Sequence, residues 1–298
     1  MRFGIVHWQY RMLNWFSQYR WLGWIGENAV LFGLAAGTAH IAQYRDWVAY
    51  WWWGLLCCFV AVFVQYVVIS LLVEGAAEWI YSDVPYYNAT KRPSYSVSRR
   101  AASYCGFAAR WSLPTAGYYL LWVPTFSPHQ FECSLFNLGI LAAKVEISLI
   151  AADIFYFAWH FLQHKIALIY HVSGHGFHHK HYYPIAAAGT WLSIVDLWIS
   201  TILIGSRNIA VAAFLLGPLS EFEFCLCLGF VHEMNCCDHC GKALPFYSGF
   251  PLCPPLGYFL GFHRSIPMHE AHHNFNAHSF GLLGVADRLV GTATYATI

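Results

Sequence analysis

Residues 47–73 read WVAYWWWGLLCCFVAVFVQYVVISLLV, 27 positions without one charged side chain. About 20 apolar residues in a helix cross the hydrocarbon core of a bilayer, so this stretch predicts a membrane span. The whole chain shares its character. Its 298 residues are 58% hydrophobic, 19% aromatic and 10% charged, against roughly 25% charged in a soluble globular domain. Cys57 and Cys58 lie within the span, where thiols act as small apolar groups. A short disulfide-stapled secreted fold is excluded.

Working outward, Trp21 to Ala42 is a second span that carries only Glu27. Residues 1–20 interleave Arg2, Arg11 and Arg20 with apolar residues at helical spacing, which predicts an interfacial helix and not a cleavable leader. After Val73 comes a basic stretch, 74–110. Apolar runs follow at Trp111 to Phe126 (broken by Pro114 and Pro124), Ser134 to Trp159, Ile185 to Ser206 and Ile209 to Val231, the last two joined by a turn near Arg207-Asn208. The expected fold is an all-α integral membrane protein with about four to six transmembrane or re-entrant helices. Residues 1–110 would hold the interfacial helix, two spans and the basic segment; residues 111–298 would form a catalytic domain. If the runs pair as hairpins, 13 of the 16 Lys and Arg fall on one side. The positive-inside rule makes that side cytosolic.

The same side holds three histidine clusters: His160-x3-His164, His175-x2-His178-His179 and His269-x2-His272-His273. Buried imidazoles need partners for their polar atoms, and ligands packed this densely point to metal. These eight exceed the roughly four to six positions around one ion, which suggests two. His239, in the polar loop Cys237-Asp238-His239-Cys240-Gly241, is a ninth candidate, and His232, seven residues earlier, a tenth. Cys236, Cys237 and Cys240 beside His239 are a weaker zinc candidate, because paired C-x-x-C spacing is absent. Glu146, Asp153, His160 and His164 are separated by 7, 7 and 4 residues and so share a helix face. Carboxylates on an apolar helix usually face the protein interior. Glu146 and Asp153 are therefore expected to accept from ligand-histidine N–H groups or to bind metal themselves. Imidazole suits iron, zinc, copper and nickel alike, so ligand type leaves the metal open.

Together these motifs resemble the fatty acid hydroxylase superfamily of membrane di-iron enzymes. Asp153-x-x-Tyr156-x-x-x-His160 is similar to the family's lead-in. His269-x-x-His272-His273 followed by Ala286-Asp287-Arg288-x-x-Gly291-Thr292 resembles its close. Asp238-His239-Cys240-Gly241 with Pro245 looks like the loop of sterol C4-methyl oxidases and sphinganine C4-hydroxylases. Phe161 stands where many members have arginine, and Ala286 where tryptophan is common. The resemblance implies two non-haem irons held by His160, His164, His175, His178, His179, His239, His269, His272 and His273. It implies O2-dependent hydrogen abstraction from an unactivated lipid C–H bond, yielding an alcohol or, after a second abstraction, an alkene. It further implies an endoplasmic reticulum enzyme of lipid biosynthesis, acting on a sterol or, alternatively, a sphingoid base or fatty alkyl chain. The sequence shows no haem-binding cytochrome b5 module, so electrons are expected from a separate donor chain such as cytochrome b5 and its reductase. From other classes, a metal transporter would line the bilayer midplane with its ligands. A non-catalytic metal-binding membrane protein would need no carboxylates on the ligand face.

Overall fold

The computed structural model describes residues 20–47, 50–87, 97–127, 131–180, 185–244 and 247–295. The expected interfacial helix at 1–20 and part of the basic stretch lie outside the described residues. Those described are helical, with one isolated bridge between Tyr86 and Lys242 and no strands. α1 (Arg20–Gln43) and α2 (Trp51–Gly75, continued by a π-helical turn at Ala76–Ile80) pack as a hairpin. α3 (Val97–Trp122) lies along α2, and α4 (Leu135–Lys165) continues almost directly into the short α5 (Ala167–Ser173). α6 (Ile194–Trp198) runs through a π-helical stretch, Ile199–Ile204, into α7 (Gly205–Leu216). α8 (Glu221–His239) sits centrally, touching α1, α2 and α4; α9 (Pro254–Leu260), α10 (Ser265–Phe275) and α11 (Val285–Val290) close the site.

Trp51–Ile80 is the helix among the described residues that is both long and apolar enough to cross a membrane. Its Leu56, Val60, Val64 and Leu71 recur along one exposed face, while Cys58, Ala61, Val62, Gln65, Tyr66 and Ile69 are buried. An exposed apolar stripe this long marks a surface for contact with lipid or with another protein. α4 inverts that arrangement. Its polar residues Lys144, Glu146, Asp153, His160 and Gln163 are buried, and Leu135, Phe136, Ile154 and Leu162 are exposed.

Two expectations about the chain path change. Pro114 does not end a run: α3 passes through it, so the division at residue 110 falls inside a helix. Arg207-Asn208 is not a turn either, since both residues lie within α7. The turn comes at residues 217–220. Gly217 takes φ +89° there, and Ser220 and Glu223 form a reciprocal capping box that starts α8. Such a box satisfies two otherwise orphaned donors at a helix start. Glu223 also takes the buried Lys144 Nζ of α4 at 2.9 Å, and Lys144 donates to Pro218 O at 3.0 Å. The start of α8 is thereby tied to α4, and its far end is aimed at the histidines.

Candidate metal centre

All nine histidines expected as ligands gather at one end of the bundle, in two groups. One holds His160, His164, His175, His179 and His272; the other holds His178, His239, His269 and His273. Within each, the ligand atoms lie within 4.8 Å of one another. His160 and His164 occupy the last turns of α4. His175, His178 and His179 lie on a 3-10 turn, His175–Lys180, and not on an α-helix. His239 is the last residue of α8 instead of a loop residue. The two H-x-x-H-H units straddle the centre in opposite senses. His175 and His179 join the first group and His178 the second, whereas His269 and His273 join the second and His272 the first. Each unit thereby links the two groups, which are in ring contact where His179 and His273 have centroids 5.0 Å apart.

The Nε2 atoms converge. Those of His164, His175 and His179 lie 3.0–3.2 Å apart, and His272 Nε2 is 3.3 Å from His179 Nε2. In the second group His239 is 2.8 Å from His269, 3.3 Å from His273 and 3.5 Å from His178. The outer nitrogens decide what this convergence means. Nδ1 of His160 faces Phe280 O at 2.8 Å, His272 faces His278 O at 2.8 Å, His239 faces Asn235 O at 2.8 Å and His178 faces Trp191 O at 3.3 Å. A carbonyl only accepts, so each of these rings spends its one N–H outward and presents a lone pair at Nε2. His160 Nε2 is buried with no donor in reach. Lone pairs pointed at each other repel, and a cation between them removes the conflict. With metal–nitrogen bonds of about 2.1 Å, neighbouring ligands at right angles stand about 3 Å apart, which is the spacing here. The donor set fits metal ions in both groups.

Burial favours the neutral form of most of these rings. It pushes His164 down to about 3 and His239 to about 4, from 6.5. Burial and then neighbouring rings hold His178, His179, His269, His272 and His273 well below the ordinary histidine range. Neutral imidazole is the form that binds metal.

The carboxylates expected to support the rings do something else. Asp153 accepts from the main-chain N–H groups of Leu283, Gly284 and Ala286 at 2.6, 2.9 and 3.0 Å, and Glu146 from Leu252 and Cys253 at 3.0 and 3.2 Å. Neither meets a histidine ring. Both are buried on the interior face of α4, but what packs there is backbone. Asp153 holds the start of α11, whose Asp287 accepts from the N–H of Phe280 at 2.8 Å and of Gly281 at 2.6 Å. Phe280 and His278 in that segment supply the carbonyls for His160 and His272. The carboxylate that does hold a ring is Asp196, in α6, whose Oδ2 takes His175 Nδ1 at 2.9 Å while Trp159 Nε1 donates to its Oδ1 at 2.9 Å. Its signal in the sequence is one acid inside the apolar run 185–206.

The remaining candidates fall outside both groups. His232 packs on Tyr66 with ring centroids 4.1 Å apart, and its Nε2 lies 3.2 Å from Ser70 Oγ. Cys237 donates to Glu233 Oε1 at 2.8 Å, and neither Cys236 nor Cys240 joins a histidine group. Phe161 packs on Phe280, and Ala286 gives its N–H to Asp153, so both positions where the sequence departs from the resemblance serve the segment that holds His160.

Residues 145–292 match the family model described as fatty acid hydroxylase. The chain belongs to the fatty acid hydroxylase family. No curated protein and no solved structure matches it. The matched region includes all nine clustered histidines, Asp153, Asp196 and Asp287. In this hydroxylase an apolar cavity of ≈ 80 Å³ lies next to the centre. Tyr156, Asn235, Leu282, Trp111, Tyr118 and Leu228 are among the residues that line it. Tyr156 lies against His160 with ring centroids 4.9 Å apart.

Proposed function

We propose that this chain is a membrane-bound non-haem di-iron oxidoreductase that uses O2 to hydroxylate an unactivated C–H bond of a lipid. The observation that carries it is the junction of two groups of neutral, inward-facing Nε2 atoms with an apolar cavity. His160, His164, His175, His179 and His272 would hold one iron, and His178, His239, His269 and His273 the other. The irons would supply O2 activation and abstraction of a hydrogen atom from the substrate. The chain's own residues do the rest. Phe280, His278, Asn235 and Trp191 fix four rings through carbonyls, Asp196 fixes a fifth, and the cavity excludes water while presenting one C–H bond.

The loop Asp238-His239-Cys240-Gly241 favours a sterol, in the manner of a C4-methyl oxidase, with a sphingoid base or fatty alkyl chain as the second reading. We place the enzyme in the endoplasmic reticulum, its centre facing the cytosol, with electrons from a separate chain such as cytochrome b5 and its reductase. The test is lipid profiling of cells lacking the protein against cells expressing His272→Ala, alongside iron analysis of the purified chain. Accumulated 4-methylsterol or lost 4-hydroxysphinganine, with bound iron, is the expected result. An unchanged lipid profile would overturn the catalytic reading.

A further inference from the structure

The cavity lining carries two polar side chains, Asn235 and Tyr156, without a hydrogen-bond partner among the described residues. Asn235 lies on α8 four residues before His239, and its main-chain carbonyl holds His239 Nδ1 at 2.8 Å. Its side-chain amide has no hydrogen-bond partner among the described residues, lines the cavity, and is not among the side-chain atoms shut away from open space. Two other polar atoms of the lining, Thr201 Oγ1 and His232 Nδ1, also lack partners, but both are walled off by their surroundings. The Asn235 amide lies across Gly189. A Cβ on that glycine would meet its Cγ, Nδ2 and Oδ1 all at 2.6 Å, so the absence of a side chain at 189 is what gives the amide its place.

We propose that Asn235 determines specificity by binding a hydroxyl group on the lipid, one or two carbon–carbon bonds from the carbon oxidised. An amide presents a donor and an acceptor side by side, and a hydroxyl both donates and accepts, so the two satisfy each other. A ketone or ether would leave the acceptor half unmet, and a hydrocarbon would leave both. Position supplies the second half of the argument. Four residues of α-helix rise about 6 Å, so an oxygen held by Asn235 stands one turn from the ring of His239. That gap leaves room for about one or two carbon–carbon bonds between the held oxygen and the carbon facing the rings. Both lipid classes considered above satisfy this condition: the 3-hydroxyl carbon of sphinganine is bonded to C4, and in a 4-methylsterol C4 alone stands between the 3-hydroxyl carbon and the methyl group. The identity of the oxidised carbon rests on the lipid-hydroxylase reading; the binding of the hydroxyl does not.

The experiment therefore measures binding by the metal-free, full-length protein in detergent micelles. Two probe pairs are used: 4α-methylcholestan-3β-ol against 4α-methylcholestane, and sphinganine against its 3-deoxy counterpart. In one pair the wild-type chain should prefer the hydroxyl-bearing member by about tenfold or more. Asn235→Leu should bring that preference to within about twofold while binding of the deoxy member is retained. Gly189→Ala, which displaces the amide without removing it, should act in the same direction, and Thr201→Val should leave the preference in place. The assignment is overturned if the preference survives in both Asn235→Leu and Gly189→Ala, if Thr201→Val abolishes it instead, or if neither pair shows one. Iron-loaded protein that keeps the Asn235-dependent preference but forms no O2-dependent product would support this assignment and sink the proposed reaction.

Discussion

His178 and His239 meet with their Nε2 atoms 3.5 Å apart, although each ring has already given its N–H to a main-chain carbonyl. Two lone pairs so placed have no bond to make with each other, and only a shared cation makes the arrangement favourable. His239→Ala should therefore empty the four-histidine group and leave the five-histidine group loaded. Metal analysis should then give about one ion per chain in place of two, with product formation down more than about a hundredfold. Loss of both ions, or of neither, would sink the division into two sites.

Asp196 supports the first group through His175. Partners of this kind typically contribute 10–100-fold in metal affinity. Asp196→Ala should weaken metal binding by about that factor, measured by competition with a chelator, and should also leave Trp159 Nε1 without its acceptor. Asp196→Asn should recover part of the affinity, because its amide oxygen can still accept from His175. Equal affinity in all three proteins would remove Asp196 from the centre.

The histidines are legible in the sequence because ligand spacing is a local property, and two H-x-x-H-H units in an apolar chain have few other uses. Their supporting partners are not. The carbonyls of Phe280, Trp191, Asn235 and His278 carry no residue-type signature, so nothing in the composition marks them. Glu146 and Asp153 share a helix face with His160, but a face gives a direction and not a neighbour. What arrived on that face was the backbone of residues 252–253 and 283–286. The turn at 217–220 was readable from Gly217-Pro218 and from Ser220-x-x-Glu223, but the polar pair Arg207-Asn208 between two apolar runs drew it to the wrong place. The exchange of His178 and His272 between the two groups depends on a 3-10 turn facing an α-helix, a tertiary fact that spacing does not encode.

Asp153 yields a prediction of a different kind from Asp196. Its carboxylate satisfies three buried N–H groups, and Gly281 packs so closely that a Cβ there would meet Asp153 Oδ1 at 2.5 Å and Asp287 Oδ2 at 2.9 Å. Each buried donor left unpaired costs about 1–3 kcal/mol. Asp153→Ala should thus lower the thermal midpoint of the metal-free protein, and Gly281→Ala should do the same by prising the two carboxylates from their donors. Asp196→Ala, which takes the acceptor from the side chains of His175, Trp159 and Ser200 but from no main-chain N–H, should lower it less, since a side chain can turn to a new partner. If Asp153→Ala melted like wild type yet lost metal, the carboxylate would be acting on the centre directly.

The exposed stripe on α2 offers a test of the membrane reading that is independent of the chemistry. Val64 is 40% exposed, and the neighbouring Gln65 is fully buried against Cys225 O, to which it donates at 2.9 Å. If the stripe faces lipid, Val64→Arg places a charge near the middle of a span, at a cost of about 2.5–3.5 kcal/mol in insertion free energy. On a water-facing surface the same change would be worth about 0.5 kcal/mol or less. Asp46→Arg, just before the helix and with its side chain 72% exposed, serves as the control. Inserted into microsomes with glycosylation acceptors on either side of the segment, the Val64→Arg chain should lose crossing efficiency by roughly an order of magnitude or more. The Asp46→Arg chain should insert as wild type does. Equal insertion of all three would mean that Leu56, Val60, Val64 and Leu71 face protein or water, and that the apolar length of Trp51–Ile80 serves a buried core.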